Sequence, residues 1–423
     1  MFAKKNLFLS LVQISFYFIP ISLVLGSLIV NINAAIFILL GLVYLKINKI
    51  KVKFNLLNTT LLLFFLTIII STYFNLKTVG LENLIKSLLL LKFFFIYIII
   101  ETLFLYKKIK FNIFCNICFC LIIFISLDVA LQFFSGKNII GLEPHDGRIA
   151  GIFGHEAIAG GFIQRIFIFS LIGFFMISVS NIKYKNYFFV FFYLIVLFGV
   201  FLASNRVPFI MLGATFFIIL LFFKMFRKNL LISLILFIPI FFYFYKMDPQ
   251  LNVKFNDFKS KVEKSKNDAE SLLSDDNAII KSTSSNHVKI YLTTIKSFNE
   301  NKFIGNGLKS FRFRCVDFLD QKNTKCSTHP HNYHLEILHD VGILGYLLIS
   351  IFVLLLIFSK YKDIRFSKMF YTDKIIVSLL LLNLLIEIFP IKSTGSLFST
   401  WTGTILWVSI ALVNYGNYKK SNI

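Results

Sequence analysis

Four of the seven histidines fall within eleven residues, in the run Thr328-His329-Pro330-His331-Asn332-Tyr333-His334-Leu335-Glu336-Ile337-Leu338-His339-Asp340. Such a cluster suits metal ligation or proton transfer. As metal ligands these residues are awkwardly spaced. On a helix His331 and His334 share a face, whereas His339 is five residues on and turns away. No His-Glu-x-x-His pattern is present. The expectation is therefore a site without a metal and without a cofactor. An imidazole with a reference pKa near 6.5 is largely neutral at neutral pH, yet still basic. At the outer mouth of a helix bundle, one histidine can take a proton from a sugar hydroxyl. Arginines nearby can hold a diphosphate through paired N–H donors and stabilise charge developing on a leaving group. Those parts suffice to transfer a glycan from a lipid diphosphate.

The elements that must position these groups are membrane helices. Of 423 residues, 57% are hydrophobic and only 15% charged, with 54 Phe and a mean hydropathy of +0.77. Soluble domains are about 45–50% apolar and about 25% charged, so a soluble enzyme, a disordered chain and a secreted disulfide scaffold are excluded. Apolar runs occur near 7–26, 27–45, 55–72, 85–105, 112–134, 157–179, 187–203, 207–223, 229–246, 336–358, 375–390 and 402–416. A crossing needs about 20 residues, which predicts an all-α integral membrane protein of about twelve transmembrane helices. The first run is too long, and lacks a small-residue cleavage site, for a cleaved signal peptide.

The net charge of +23 is not spread evenly. Short clusters between runs, such as Lys46–Lys53, Lys107–Lys110, Lys224–Lys228 and Lys360–Lys374, hold 21 of the 44 basic residues, with only Asp363 and Asp373 among them. They follow every second run, as expected of cytoplasmic loops. Both termini are then cytoplasmic. A nucleic-acid groove would need its basic residues on one folded face, and none is expected as a partner.

One outward connection, 247–335, is about ninety residues long and polar. Loops of that length are usually functional or disordered. Within it, Val288, Tyr291, Leu292 and Ile295 have helical spacing, and Gly305-Asn306-Gly307 ends the helix. This divides the chain into helices 1–9 over 1–246, a large periplasmic loop over 247–335, and helices 10–12 over 336–423. Cys315 and Cys326 lie in the loop and could pair if that side is oxidising. Cys115, Cys118 and Cys120 sit in an apolar run and are read as packing residues. Ionisable groups within the runs crowd toward the outer ends: Lys86, Lys92, Asp128, Arg165 and Glu387, with Arg148 and Arg206 in or beside outer loops. Intramembrane charges are functional candidates by default, although Lys86 and Lys92 can snorkel to the interface.

Around His331 the chain resembles the O-antigen ligase and polymerase superfamily of bacterial inner membranes. The ligase pattern is His, then Asn, Ser or Gln, nine residues, Gly, two residues, then Gly, Thr or Tyr. It is met by His331-Asn332, Gly342 and Gly345. Gly147-Arg148-Ile149-Ala150-Gly151-Ile152-Phe153 is similar to the family's Arg-x-x-Gly-x-Phe stretch. Ser204-Asn205-Arg206 resembles its Ser-Arg turn, with Ile210 where the ligase pattern has Leu. Ile304-Gly305-Asn306-Gly307 is similar to its Gly-x-Gly. One departure is His287, which stands where the family usually has Arg at the start of the loop helix; Lys281, Lys289, Arg312 or Arg314 could compensate.

The resemblance implies metal-independent glycosyl transfer from an undecaprenyl-diphosphate-linked glycan donor, in the bacterial inner membrane, with the active site facing the periplasm. His331 is then the base toward the acceptor hydroxyl, supported by Asn332. Arg148, Arg206, Arg165 and His287 are the remaining substrate contacts. In ligases the acceptor is a lipid A–core sugar; in polymerases it is another lipid-linked unit. The single dominant loop favours the ligase. A lipid-linked glycan flippase or other transporter would instead place ionisable groups along a central pathway.

Overall fold

The structure, a computed structural model, describes residues 2–145, 148–178, 185–247, 249, 252, 253, 256, 260, 263, 286–319, 324–367 and 369–415. Gly147, Lys281 and most of the polar 251–285 stretch lie outside the described residues.

The described residues are helical, apart from irregular connections and one isolated bridge between His145 and Arg148. The helices are α1 (Phe2–Leu25), α2 (Ser27–Ile47), α3 (Leu56–Phe74), α4 (Leu76–Leu89), α5 (Leu91–Leu105), α6 (Phe111–Ser135), α7 (Ala159–Ser178), α8 (Lys185–Leu202), α9 (Arg206–Phe222), α10 (Lys224–Met247), α11 (Asn286–Phe298), α12 (Phe311–Arg314), α13 (Tyr333–Phe366), α14 (Tyr371–Glu387) and α15 (Thr400–Leu412). Among the described residues, eight helical stretches are long and apolar enough to cross a bilayer. The four further runs expected to span form shorter helices: α8 with 18 residues, α9 and α14 with 17 each, and α15 with 13. Tight turns bound them, at Ser204 with φ 54° between α8 and α9 and before Pro390 after α14. The run near 85–105 is also not one helix, because α4 and α5 meet at Leu90.

Lipid tails are as apolar as leucine, so these helices associate through close packing and hydrogen bonds. Phe119 stacks on Phe174 at 5.1 Å and meets Phe192 at 5.5 Å, joining α6, α7 and α8. Asn33 Nδ2 donates to the Ser15 carbonyl at 3.1 Å, tying α2 to α1. Trp401 Nε1 donates to the Leu23 carbonyl at 2.9 Å, tying α15 to α1.

α13 is broken at Gly342, with φ 72° and ψ −173°. The break frees backbone groups that an unbroken helix would satisfy internally, and buried groups of this kind require partners. The segment 302–307 supplies them. Asn306 N donates to His339 O at 2.9 Å and Gly307 N to Asp340 O at 3.0 Å, while Ile343 N donates to Lys302 O at 2.8 Å. The two backbones touch: a Cβ on Gly342 would lie 2.3 Å from Phe303 O, and one on Gly305 would lie 2.5 Å from Gly342 N. α3 closes the joint, with Ser71 Oγ donating to Asp340 O at 2.7 Å and Leu308 N to Thr72 Oγ1 at 3.1 Å.

Side chains reinforce the same joint. His339 Nδ1 lies 2.8 Å from Asp340 Oδ1, and its Nε2 shares a hydrogen bond with Ser297 Oγ at 2.9 Å. Ser297, His339 and Asp340 are fully buried, so this Ser-His-Asp chain fastens α11 to α13 and is no nucleophile. The loop helices form a cap with a small core of Ile290, Phe311 and Cys315, against which Cys326 packs. Cys315 and Cys326 are joined by a disulfide, their Cα atoms 5.4 Å apart.

Gly342→Ala meets both a left-handed backbone and a clash. It should destabilise the protein by about 1–3 kcal/mol or more, read as a fall in thermal unfolding temperature in detergent. Gly213→Ala, where a Cβ meets nothing within 4 Å, should be neutral or slightly stabilising.

Candidate active site

A cavity of about 910 Å³ opens where α7, α9, α11 and α13 begin and α14 ends. Helix N-termini carry partial positive charge and favour anions. Arg148, Arg165, Arg206, His287 and His331 all line it, together with Gln164, His329 and the Lys392–Gly395 segment. Residues scattered over about 250 positions of sequence thus face one space.

Local structure explains how they are held. Asn205 fastens the Ser204–Arg206 turn to the start of α7: its Oδ1 accepts from Gly160 N at 3.0 Å, and its Nδ2 donates to Ala157 O at 3.1 Å. Arg206 then opens α9 at the cavity wall. Arg148 sits in an exposed turn, its N–H donating to His145 O at 2.9 Å. That turn is seated through Gln132, whose Oε1 accepts from Ala150 N and Gly151 N at 3.1 and 2.7 Å.

His331 directly precedes the N-cap of α13 and adopts φ 56°. Left-handed backbone is uncommon outside glycine and is concentrated at functional sites. Its carbonyl accepts from Thr394 N at 2.8 Å. Its Nε2 shares a hydrogen bond with Ser327 Oγ at 3.0 Å. The His329 and His287 rings lie 4.1 and 5.5 Å away, centroid to centroid. Burial, and then the neighbouring His329 and His287, push the His331 imidazole down to about 4, against an opposing backbone hydrogen bond to Thr394. Burial likewise lowers His329. His331 is therefore neutral at neutral pH.

The floor of the cavity is an ionic network. Arg165 Nε donates to Glu387 Oε1 at 2.9 Å, and the Tyr333 hydroxyl donates to the same oxygen at 2.9 Å. Lys392 Nζ donates to Glu387 Oε2 at 2.5 Å. The Arg165 guanidinium also lies 5.3 Å from the Trp401 ring. Two cations share one carboxylate, so the floor stays positive by one charge. Burial lowers the pKa of Lys392, and Glu387 acts in the opposite sense.

Asn332 does not line the cavity. It is buried, its Oδ1 caps α13 by accepting from Leu335 N at 3.1 Å, and its Nδ2 donates to Pro390 O at 2.5 Å. Its amide is fully used in placing His331 and the 391–399 loop. His334 is similarly occupied, with Tyr346 and with the Ile388 carbonyl. Arg312 and Arg314, considered as substitutes for the missing loop-helix arginine, do not line the cavity, and Arg314 pairs with Glu300 at 2.9 Å. Lys86 pairs with Glu82, and Lys92 bonds Asn31 Oδ1 at 2.7 Å. Among the described residues, no three histidine, cysteine, aspartate or glutamate side chains converge as metal ligands. Lys392 and Thr394 were missed. The available signal was Glu387 followed five residues later by a lysine beyond a proline, in an outward turn.

The fold and cavity define a multi-pass membrane protein with a cationic, histidine-bearing site at the ends of its helices. Residues 191–350 match the family model described as O-antigen ligase, so this part of the chain is similar to that family. The match runs from α8 into α13 and contains Arg206, His287 and His331; Arg148, Arg165 and Lys392 lie outside it. No curated protein matches the chain.

Because the His331 pKa is lowered, its ring should take up a proton only as pH falls toward about 4. Histidine NMR between pH 7 and 5 should show the His331 ring remaining neutral, whereas an ordinary histidine near 6.5 would be mostly protonated at pH 5.

Proposed function

We propose that the protein is an O-antigen ligase-type glycosyltransferase that moves a glycan from undecaprenyl diphosphate to a lipid A–core hydroxyl, without a metal. The observation that carries this reading is the placement of a neutral His331 imidazole in one cavity with Arg148, Arg165 and Arg206. The acceptor oxygen attacks the anomeric carbon of the donor sugar while His331 takes the hydroxyl proton. The bond from that carbon to the diphosphate oxygen breaks, and undecaprenyl diphosphate leaves. Arg148 and Arg206 take the charge that develops on it, with Arg165 behind them and His287 contributing when protonated. Asn332 supports His331 by fixing the backbone that carries it.

A base with a conjugate-acid pKa near 4 is weak. The bound diphosphate corrects this, because nearby negative charge favours the protonated imidazole and raises its pKa. The donor thus prepares the base that acts on the acceptor.

The twelve expected crossings, with both termini cytoplasmic, put 247–335 in the periplasm of the inner membrane, between helices 1–9 and helices 10–12. The basic clusters support that orientation, as does a disulfide in the cap. The large single loop favours the ligase over a polymerase that joins lipid-linked repeat units. A flippase gains no support from the family match.

In a deletion strain, lipopolysaccharide gels should lose long-chain material while polymer accumulates on the undecaprenyl carrier; a core bearing a single repeat unit would instead identify a polymerase. His331→Ala, expressed normally, should abolish transfer, and retained activity would remove His331 as the base. Arg206→Lys should lower transfer by roughly ten- to hundredfold, the worth of a lost charged hydrogen bond; a wild-type rate would exclude paired donation from that residue.

A further inference from the structure

Lys392, Ser393, Thr394 and Gly395 line the same cavity as Arg148 and Arg206, in a segment outside the matched family region. Three features set it apart. First, Lys392 is a buried cation, 4% exposed, whose ammonium donates to Glu387 Oε2. Glu387 also accepts from Arg165 and Tyr333, so the carboxylate is shared and the lysine is not neutralised alone. Second, Thr394 is 7% exposed and its Oγ1 has no hydrogen-bond partner among the described residues. A buried hydroxyl without a partner costs about 1–3 kcal/mol, and such a group calls for an explanation. Third, the segment is tied to the base, since Thr394 N donates to His331 O at 2.8 Å and His329 Nε2 approaches Thr394 O at 3.4 Å.

A lone lysine paired with a glutamate is ordinarily structural. Here the pair leaves the cavity floor with excess positive charge, and the orphaned hydroxyl stands two residues away on the same wall. An anion entering the cavity supplies what both lack: an acceptor for the hydroxyl and a counter-charge for the surplus cation.

We infer that Lys392 and Thr394 form a second anion-binding arm, which grips the diphosphate of the donor together with Arg148 and Arg206. Glu387 is its positioning residue, holding Lys392 extended toward the cavity while no anion is bound. When the diphosphate enters, the ammonium turns part of its donor capacity to a phosphate oxygen, and the Thr394 hydroxyl rotates to donate to the same group. The segment moves with the His331 backbone, so the arm also sets the distance between the leaving group and the base. The inference rests on the proposed reading of the cavity as a lipid-diphosphate site.

The test is binding of farnesyl diphosphate, a short polyprenyl diphosphate, to the purified full-length protein in detergent by calorimetry. Lys392→Met should weaken binding by at least about tenfold and Thr394→Val by about three- to tenfold, and Lys392→Arg should restore most of the loss. Glu387→Gln separates binding from scaffolding. It removes a negative charge beside the arm, so affinity should hold or rise at low salt. If the lysine serves only to satisfy Glu387, Lys392→Met and Glu387→Gln break the same pair and should weaken binding alike, which overturns the inference. Unchanged affinity in Lys392→Met with a loss in Arg206→Ala also overturns it, and leaves the reading of the cavity standing. A wild-type protein that binds no farnesyl diphosphate overturns both. Thermal unfolding of each variant checks folding; should Lys392→Met unfold, Thr394→Val decides, with unchanged affinity counting against the arm.

Discussion

The molecule turns on a helix that is broken on purpose. Where α13 breaks at Gly342, its unsatisfied carbonyls and amides are taken up by the backbone of residues 302–307. In a bilayer, such groups have no water to turn to and must be buried in protein. The break and the loop therefore depend on each other. This mutual need holds the cap at one height and angle on the bundle. His331 precedes the same helix, and His287 opens the cap helix that the joint clamps through Ser297 and His339. Fixing the joint fixes two imidazoles against the arginines carried by α7 and α9.

The cavity's chemistry follows from how its charges are distributed. Cations sit at the rim and in the floor, and the floor contains a carboxylate that is outnumbered. His329 and His331 also line it, both lowered by burial, and His331 further by its histidine neighbours. An empty site of this kind repels protons and attracts anions. The two tendencies are linked through His331, whose basicity rises as an anion arrives.

Much of this was legible before any coordinates. Composition and run length declare a helical membrane protein, because runs of about 20 apolar residues suit helices and not the shorter, alternating strands of a barrel. The charged residues that a lipid-facing surface rejects stand out individually, and Arg165, Arg206 and His331 were visible for that reason. The spacing of Gly342 after His331 was visible as a pattern, but its cause was not. Gly342 and Gly305 are each glycine because the other's backbone occupies the space of a side chain, a relation between segments 37 residues apart that no local reading shows. The sequence reading pairs Asn332 with His331 as its support, but the means, a side chain that caps α13, is visible only in the fold. Lys392 escaped notice as one lysine among many in a basic chain. Only the meeting of α14 with α7 reveals that it shares Glu387 with Arg165. Run length alone does not show the turn at Leu90, which divides an apolar stretch that reads as continuous.

Among the described residues, the cap's private core consists of little more than Ile290, Phe311 and the Cys315–Cys326 bridge, too little apolar area to organise them alone. Its anchor points on α13 are synthesised after it. A ribosome building this chain must therefore release the whole cap before the helix that will shape it exists, so assembly of the active centre is among the last acts of biogenesis. A truncated product ending ahead of α13 would reach the membrane with its cap unshaped and its cavity lacking a wall.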